Sequence, residues 1–219
     1  LELAPEHLSL YALTVEPDTP LYRAIAEGKL PSPDSDLAAD MYEVASEVLC
    51  AAGFWQYEIS NWARGLRPAA AIWDRPPGGC AEGIGPWVSR HNLVYWRTQP
   101  WLGLGAGAYS WLDGRRWSNV RHPVDYIKAS QAGQWLDVDV EVISPALACG
   151  EMLMMGLRLA EGVADVDFRT RFGVGLDDSY GETIARLVET GLVLWDGQRL
   201  RLSPQGRLLG NQVFGAFLP

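Results

Sequence analysis

Apolar residues recur at helical spacing between positions 37 and 52. Met41, Val44, Ala45, Val48 and Leu49 share one face, which predicts a helix from about Leu37 to Ala52. Ser35 or Asp36 stands where it can cap that helix, and Gly53 where it ends. Upstream, Leu8 to Val15 is an apolar and β-branched run that reads as a strand and stops at the turn cluster Glu16-Pro17-Asp18. Thr19-Pro20 opens a helix to about Glu27, with proline in its first turn. Tyr57 to Trp62 reads as a second strand. Strand, helix and strand in that order predict a βαβ crossover and a parallel sheet.

The pattern then breaks. Gly65 to Pro86 holds Pro68, Pro76-Pro77, Gly78-Gly79, Gly83 and Gly85, and reads as a long loop or insertion. Ala106 to Trp111, Asp113-Gly114 and Arg116 to Val120 predict a β-hairpin, because Asp-Gly is a strong two-residue turn signal. A short helix over Pro123 to Ala132 and a linker over Gln134 to Ser144 follow. From Pro145 the periodicity is helical over Pro145–Leu159, Asp165–Phe172 and Asp178–Thr190. A second Asp-Gly hairpin spans Leu192 to Leu202, and Ser203-Pro204 opens a last helix to about Phe217. Three helices, a hairpin and a helix describe a winged-helix-like module, with a domain boundary near residue 140.

Composition narrows the function classes. The chain has 219 residues, 48% hydrophobic and 21% charged, which is ordinary globular usage. A formal net charge of −9 argues against broad nucleic-acid contact, which needs a lysine and arginine surface. The expected reading helix, Asp178–Thr190, carries Asp178, Glu182 and Glu189 against Arg186, the wrong balance for a groove reader. The first residue is Leu1 and no basic stretch followed by an apolar run occurs in Leu1–Ser9, so an interior start and no signal peptide are expected. No apolar run approaches the ~20 residues of a membrane helix. Cys50, Cys80 and Cys149 are scattered, which fits a reducing compartment and buried, unligated thiols.

The richest chemistry lies between Arg90 and Ser110. Arg90-His91-Asn92-Leu93-Val94-Tyr95-Trp96 sets a histidine beside an amide and two aromatics, and Gly103, Gly105 and Gly107 alternate close behind. Histidine is the commonest metal ligand, and flat aromatics suit a conjugated ligand. The plainer alternative is a hydrogen-bonded core histidine beside a strand with glycine on one face. The glycines do not follow the Gly-x-Gly-x-x-Gly dinucleotide pattern. His7 is expected to face solvent and His122 to sit at a turn or cap. Glu16 and Glu58 lie at strand ends, where α/β folds place their sites.

Several of these segments resemble one family. His7-Leu-Ser-Leu-Tyr11-Ala-Leu13-Thr14-Val-Glu16-Pro-Asp-Thr-Pro20 looks like a late strand and turn of the radical SAM barrel in the coproporphyrinogen-dehydrogenase group. Gly53 to Ala63 is similar to that group's next strand. Arg90 to Trp96 looks like the His-Asn-x-x-Tyr-Trp signature of its HemW branch of heme chaperones, and Gly103–Ser110 and Glu151–Val163 also resemble that branch.

The resemblance implies a C-terminal portion of such a protein. Residues 1–140 become the later strands and helices of a partial (β/α) barrel with an insertion at about 65–86. Residues 141–219 become a HemN-type winged-helix-like α+β domain. It implies heme carried to acceptor proteins in the cytoplasm, with S-adenosylmethionine and a [4Fe–4S] cluster in the intact protein. By position, Tyr11, Leu13, Thr14, Gly103, Gly105, Gly107, Ala108 and Tyr109 match segments lining the S-adenosylmethionine cavity. His91 becomes the contact to heme iron, with Asn92, Tyr95 and Trp96 around it. The cluster motif Cys-x-x-x-Cys-x-x-Cys is absent, and Ser89 stands where relatives often carry cysteine. The runner-up activity is oxygen-independent coproporphyrinogen III oxidation, a decarboxylation. A third reading is a non-catalytic interaction module.

Overall fold

The computed structural model describes residues 2–65 and 85–219. Most of the expected Gly65–Pro86 loop, with Cys80, lies outside them. Contacts divide the chain into two compact units, Leu1–Val88 and Ser89–Pro219. The position near 140 thus falls inside the second.

In the first unit, β1 (His7–Ser9), α1 (Pro20–Ala26), α2 (Ser35–Ala51), β2 (Phe54–Glu58) and β3 (Asn61–Arg64) follow in order. Thr19 caps α1, its hydroxyl accepting from the Tyr22 N–H, with Pro20 at the first helical position. Asp34, rather than Ser35 or Asp36, caps α2. The expected strand 57–62 is instead a hairpin, because the chain turns at Ile59-Ser60 and β2 pairs antiparallel with β3. The sheet order is β1-β3-β2 with both pairings antiparallel, so no adjacent parallel pair forms.

The ladder of β1 ends at Ser9. Beyond the Leu10 N–H, which donates to the Ser60 carbonyl, residues 11–16 join no ladder among the described residues. Propensity favoured a longer strand, but β3 is only four residues long and supplies no partner further on. Leu49, Phe54 and Trp62 form the core, with Leu8, Leu10, Tyr42 and Ala52 against it. Only part of the periodic face of α2 turns inward, since Met41, Val44 and Val48 stay exposed.

The second unit begins with α3 (Arg90–Trp96), then β4 (Tyr109–Leu112), β5 (Arg115–Asn119), α4 (Pro123–Gln131) and β6 (Asp137–Val142). The predicted hairpin forms, and Asp113 and Gly114 at its tip have φ of 50° and 72°, the left-handed pair that a two-residue turn needs. The expected linker 134–144 contains β6, which pairs antiparallel with β5. Its run Asp-Val-Asp-Val-Glu-Val alternates polar and apolar, a strand signal that its acidity masked.

Next come α5 (Pro145–Gly156), β7 (Val163–Ala164), α6 (Asp165–Phe172), α7 (Leu176–Glu189), β8 (Val193–Trp195), β9 (Arg199–Leu202), α8 (Pro204–Leu208) and α9 (Gly210–Gly215). Three helices, the β8–β9 hairpin and the closing helices give the winged-helix-like order, with β7 added to the hairpin. Leu153, Leu157, Phe168, Leu176, Leu200 and Val213 are fully buried there. The predicted last helix is broken at Leu209 into α8 and α9.

Candidate functional site

The site is built on α3. Ser89 caps it, its hydroxyl accepting from the Asn92 N–H at 3.3 Å. Leu93 is the buried anchor of the helix. Residues four apart stack on one face of a helix, so His91 and Tyr95 lie together. Their rings meet edge to face at 4.9 Å, and the Tyr95 hydroxyl is 3.2 Å from His91 Nε2. His91 is exposed, which removes the alternative of a buried, backbone-satisfied core histidine.

Trp96, one position past Tyr95, points elsewhere. Arg158 stacks over its indole at 5.2 Å, and the ring helps line a separate cleft of about 400 Å³ with Met152, Gly156 and Val163. The Arg97–Glu161 ion pair, at 2.9 Å, closes one side of that cleft. So the run from His91 to Trp96 splits over two faces, and Asn92 belongs with neither ring pair.

Two tryptophans that the sequence did not single out extend the His91 face. Trp101 lies 4.9 Å from Tyr95, and Trp111 stacks on Trp101 at 5.9 Å and 20°. Their backbones exchange two hydrogen bonds of 2.9 Å, Trp101 to Trp111 and back, which fixes the stack. Arg171 caps the line, its guanidinium 5.4 Å from the Trp111 ring. The abundance of tryptophan was a visible signal. Which of the ten would meet was not, because 101 and 111 come together only when β4 folds back.

The glycine segment is not a strand. Gly105 and Gly107 have φ of 103° and 69°, values that break a ladder. Gly103 is required by a close approach, since a Cβ there would sit 2.1 Å from the Tyr109 carbonyl oxygen. Asn119 clasps the loop: its Nδ2 donates to the carbonyls of Gly103 and Gly105 at 3.1 and 2.9 Å. The Gly107 N–H donates to the Val120 carbonyl at 3.0 Å, Ala108 is half-buried and Tyr109 is exposed. In the first unit, Tyr11, Leu13 and Thr14 are exposed on irregular backbone.

The other candidates take structural places. His7 is half-buried rather than solvent-facing, its Nε2 2.9 Å from the Tyr57 hydroxyl, and burial lowers its pKa. Glu58 is buried and accepts from Asn61 Nδ2, while Asn61 Oδ1 accepts from the Ser9 hydroxyl; Glu16 is exposed. His122 is the N-cap of α4, as expected, with Asp125 at 3.6 Å. Cys50 is exposed rather than buried, and burial raises the thiol pKa of half-buried Cys149. Cys50 and Cys149 stand in different units and no cluster motif occurs in the sequence, so the residues present do not fit a [4Fe–4S] cluster. Among the described residues no group of three or more His, Cys, Asp or Glu could hold a metal ion.

The chain is similar to known proteins of one class. Residues 143–209 match the family of the HemN C-terminal domain. The fold matches the structure titled "Coproporphyrinogen III oxidase (HemN) from Escherichia coli is a Radical SAM enzyme", with a TM-score of 0.67 and 18% identity over 99% of this chain and 48% of that one. The fold is therefore like that of the C-terminal part of that structure.

Within that class the sequence is HemW-like. It is 34% identical to the heme chaperone HemW of Bacillus subtilis, over all of this chain and 52% of the relative. It is 38% identical to HemW of Synechocystis over 74% of this chain and 35% of the relative. A mouse mitochondrial protein, radical S-adenosyl methionine domain-containing protein 1, is 30% identical over 98% of this chain and 46% of its own length. The chain thus spans about half the length of the curated relatives it matches.

Proposed function

We propose that this chain supplies the heme-contacting face of a heme chaperone. His91 contacts the iron, Tyr95 walls the porphyrin, and heme is the cargo passed to acceptor proteins in the cytoplasm. One observation carries this reading: an exposed imidazole stands on α3 beside an aromatic line, within the His-Asn-x-x-Tyr-Trp run. Its Nε2 faces the Tyr95 hydroxyl, while among the described residues its Nδ1 makes no hydrogen bond. Iron reaches Nδ1 directly, or reaches Nε2 by displacing one exposed hydrogen bond of about 1 kcal/mol. Trp101 supports the wall in the place that Trp96 was expected to fill.

The bacterial relatives, heme chaperones HemW, support the reading. The 18% identical oxidase shares the fold alone and brings no decarboxylase activity with it. S-adenosylmethionine and the cluster belong, in this reading, to the intact protein. Tyr11, Leu13 and Thr14, and separately Gly103, Gly105, Gly107, Ala108 and Tyr109, keep their assignment to the S-adenosylmethionine cavity. The division near 140 into barrel part and HemN-type module is kept as part of the proposal.

The test is His91→Ala in the full-length protein, followed by heme titration and a thermal melt. Heme affinity falls while the melting temperature stays within a few degrees, because an exposed side chain carries little stability. Unchanged heme affinity in a folded variant places the ligand elsewhere.

A further inference from the structure

The aromatic line behind His91 is longer than a wall for one ligand requires. Tyr95, Trp101 and Trp111 touch in sequence at 4.9 and 5.9 Å, and the Trp101–Trp111 bridge holds the two indoles in place. At one end the Tyr95 hydroxyl lies 3.2 Å from His91 Nε2, and at the other the Arg171 guanidinium lies over the Trp111 ring. Met154 and Met155 line the same small cavity of about 50 Å³ as all three rings.

We propose that these three residues form a one-electron relay, in which a hole made on either indole passes along the line and rests on Tyr95. The oxidant is a strong one-electron acceptor, such as a small radical or the oxidising species that peroxide makes with an iron porphyrin. It takes one electron from the indole of Trp101 or Trp111 and is itself reduced by one electron. Tyr95 returns one electron to the indole and releases its hydroxyl proton to water. The sum is oxidant plus Tyr95 phenol giving reduced oxidant, Tyr95 phenoxyl radical and a proton.

The direction follows from charge. Arg171 is permanently cationic, so it opposes a cation on the Trp111 ring beside it. An oxidised phenol sheds its proton and becomes neutral, so Tyr95 escapes that penalty. Fixed ring contacts keep reorganisation small. The relay also draws oxidation away from Met154 and Met155, whose thioethers would otherwise convert to sulfoxides. It stands whether or not heme occupies His91.

The experiment therefore uses the heme-free chain. Azide radicals generated by pulse radiolysis oxidise indoles, and the indolyl and phenoxyl absorptions are followed in time. The wild-type chain shows a first-order conversion of indolyl to phenoxyl that is independent of protein concentration. Tyr95→Phe, which keeps the ring, loses that phase. Trp101→Phe slows it by interrupting the line. Two pairs in the first unit, Trp55–Tyr57 and Tyr42–Trp62, with ring centroids 6.0 and 5.9 Å apart, give a background common to all variants. A wild-type phase that survives unchanged in Tyr95→Phe, or in Trp101→Phe, overturns the relay. Either result leaves the heme reading to the His91→Ala titration.

Discussion

His7 shows how a single residue escapes a reading by position. Near the start of a strand it looked solvent-facing, yet antiparallel pairing sets His7 opposite Ala63, and the ring meets Tyr57. Burial disfavours its imidazolium, so its pKa in the fold lies below the ordinary 6.5. As pH falls through 6.5 the unfolded chain takes up its proton first, and stability declines from there toward the lowered value. Above 6.5 the contribution is complete. The effect is modest because the ring is only partly buried. His7→Gln should flatten the acid side of a plot of unfolding midpoint against pH. A variant as steep as wild type between neutral and mildly acidic pH would show that His7 does not carry the dependence. His91 was the opposite case: the sequence offered both a ligand and a core corner, and exposure on α3 removed the corner.

At the scale of elements, the loop from Gly103 to Gly107 has the sharpest requirement. The alternating glycines suggested a strand face, but two left-handed φ values and the clasp by Asn119 make it a compact loop against β4 and β5. Gly103→Ala forces a Cβ against the Tyr109 carbonyl, which should cost about 1–3 kcal/mol by overpacking. Gly105→Ala meets no atom within 4 Å and carries only its backbone strain, so thermal melts should rank Gly103→Ala the more damaging. Equal melting temperatures would deny the close approach. The Asp-Gly turns were legible because their backbone demand is local. The β2–β3 hairpin was not, since Ile59-Ser60 holds no glycine, proline, asparagine or aspartate and its serine alone is a weak turn signal.

For the whole molecule, the net charge of −9 outweighs the winged-helix-like order. α7 carries Asp177, Asp178, Glu182 and Glu189 against Arg186 alone. A generic duplex titrated near physiological salt should show no binding at micromolar protein, where a steeply salt-dependent micromolar affinity would reverse that reading. Among the described residues no helix is long and apolar enough to cross a membrane, which agrees with the hydropathy pattern. The sequence by itself determined the helices α1, α2 and α4 to α7, the cap of α1 at Thr19, the two Asp-Gly hairpins, the acidic balance and the motif run from Arg90 to Trp96. Those features depend on residues within a few positions of one another. Only the tertiary structure decided that β1 and β2 flank β3, that β6 completes a sheet, that Trp96 leaves the His91 face and that Trp101 and Trp111 join it. Each of these depends on backbone hydrogen bonds or ring contacts between segments apart in the chain, and local periodicity carries no term for a partner that folding brings from elsewhere.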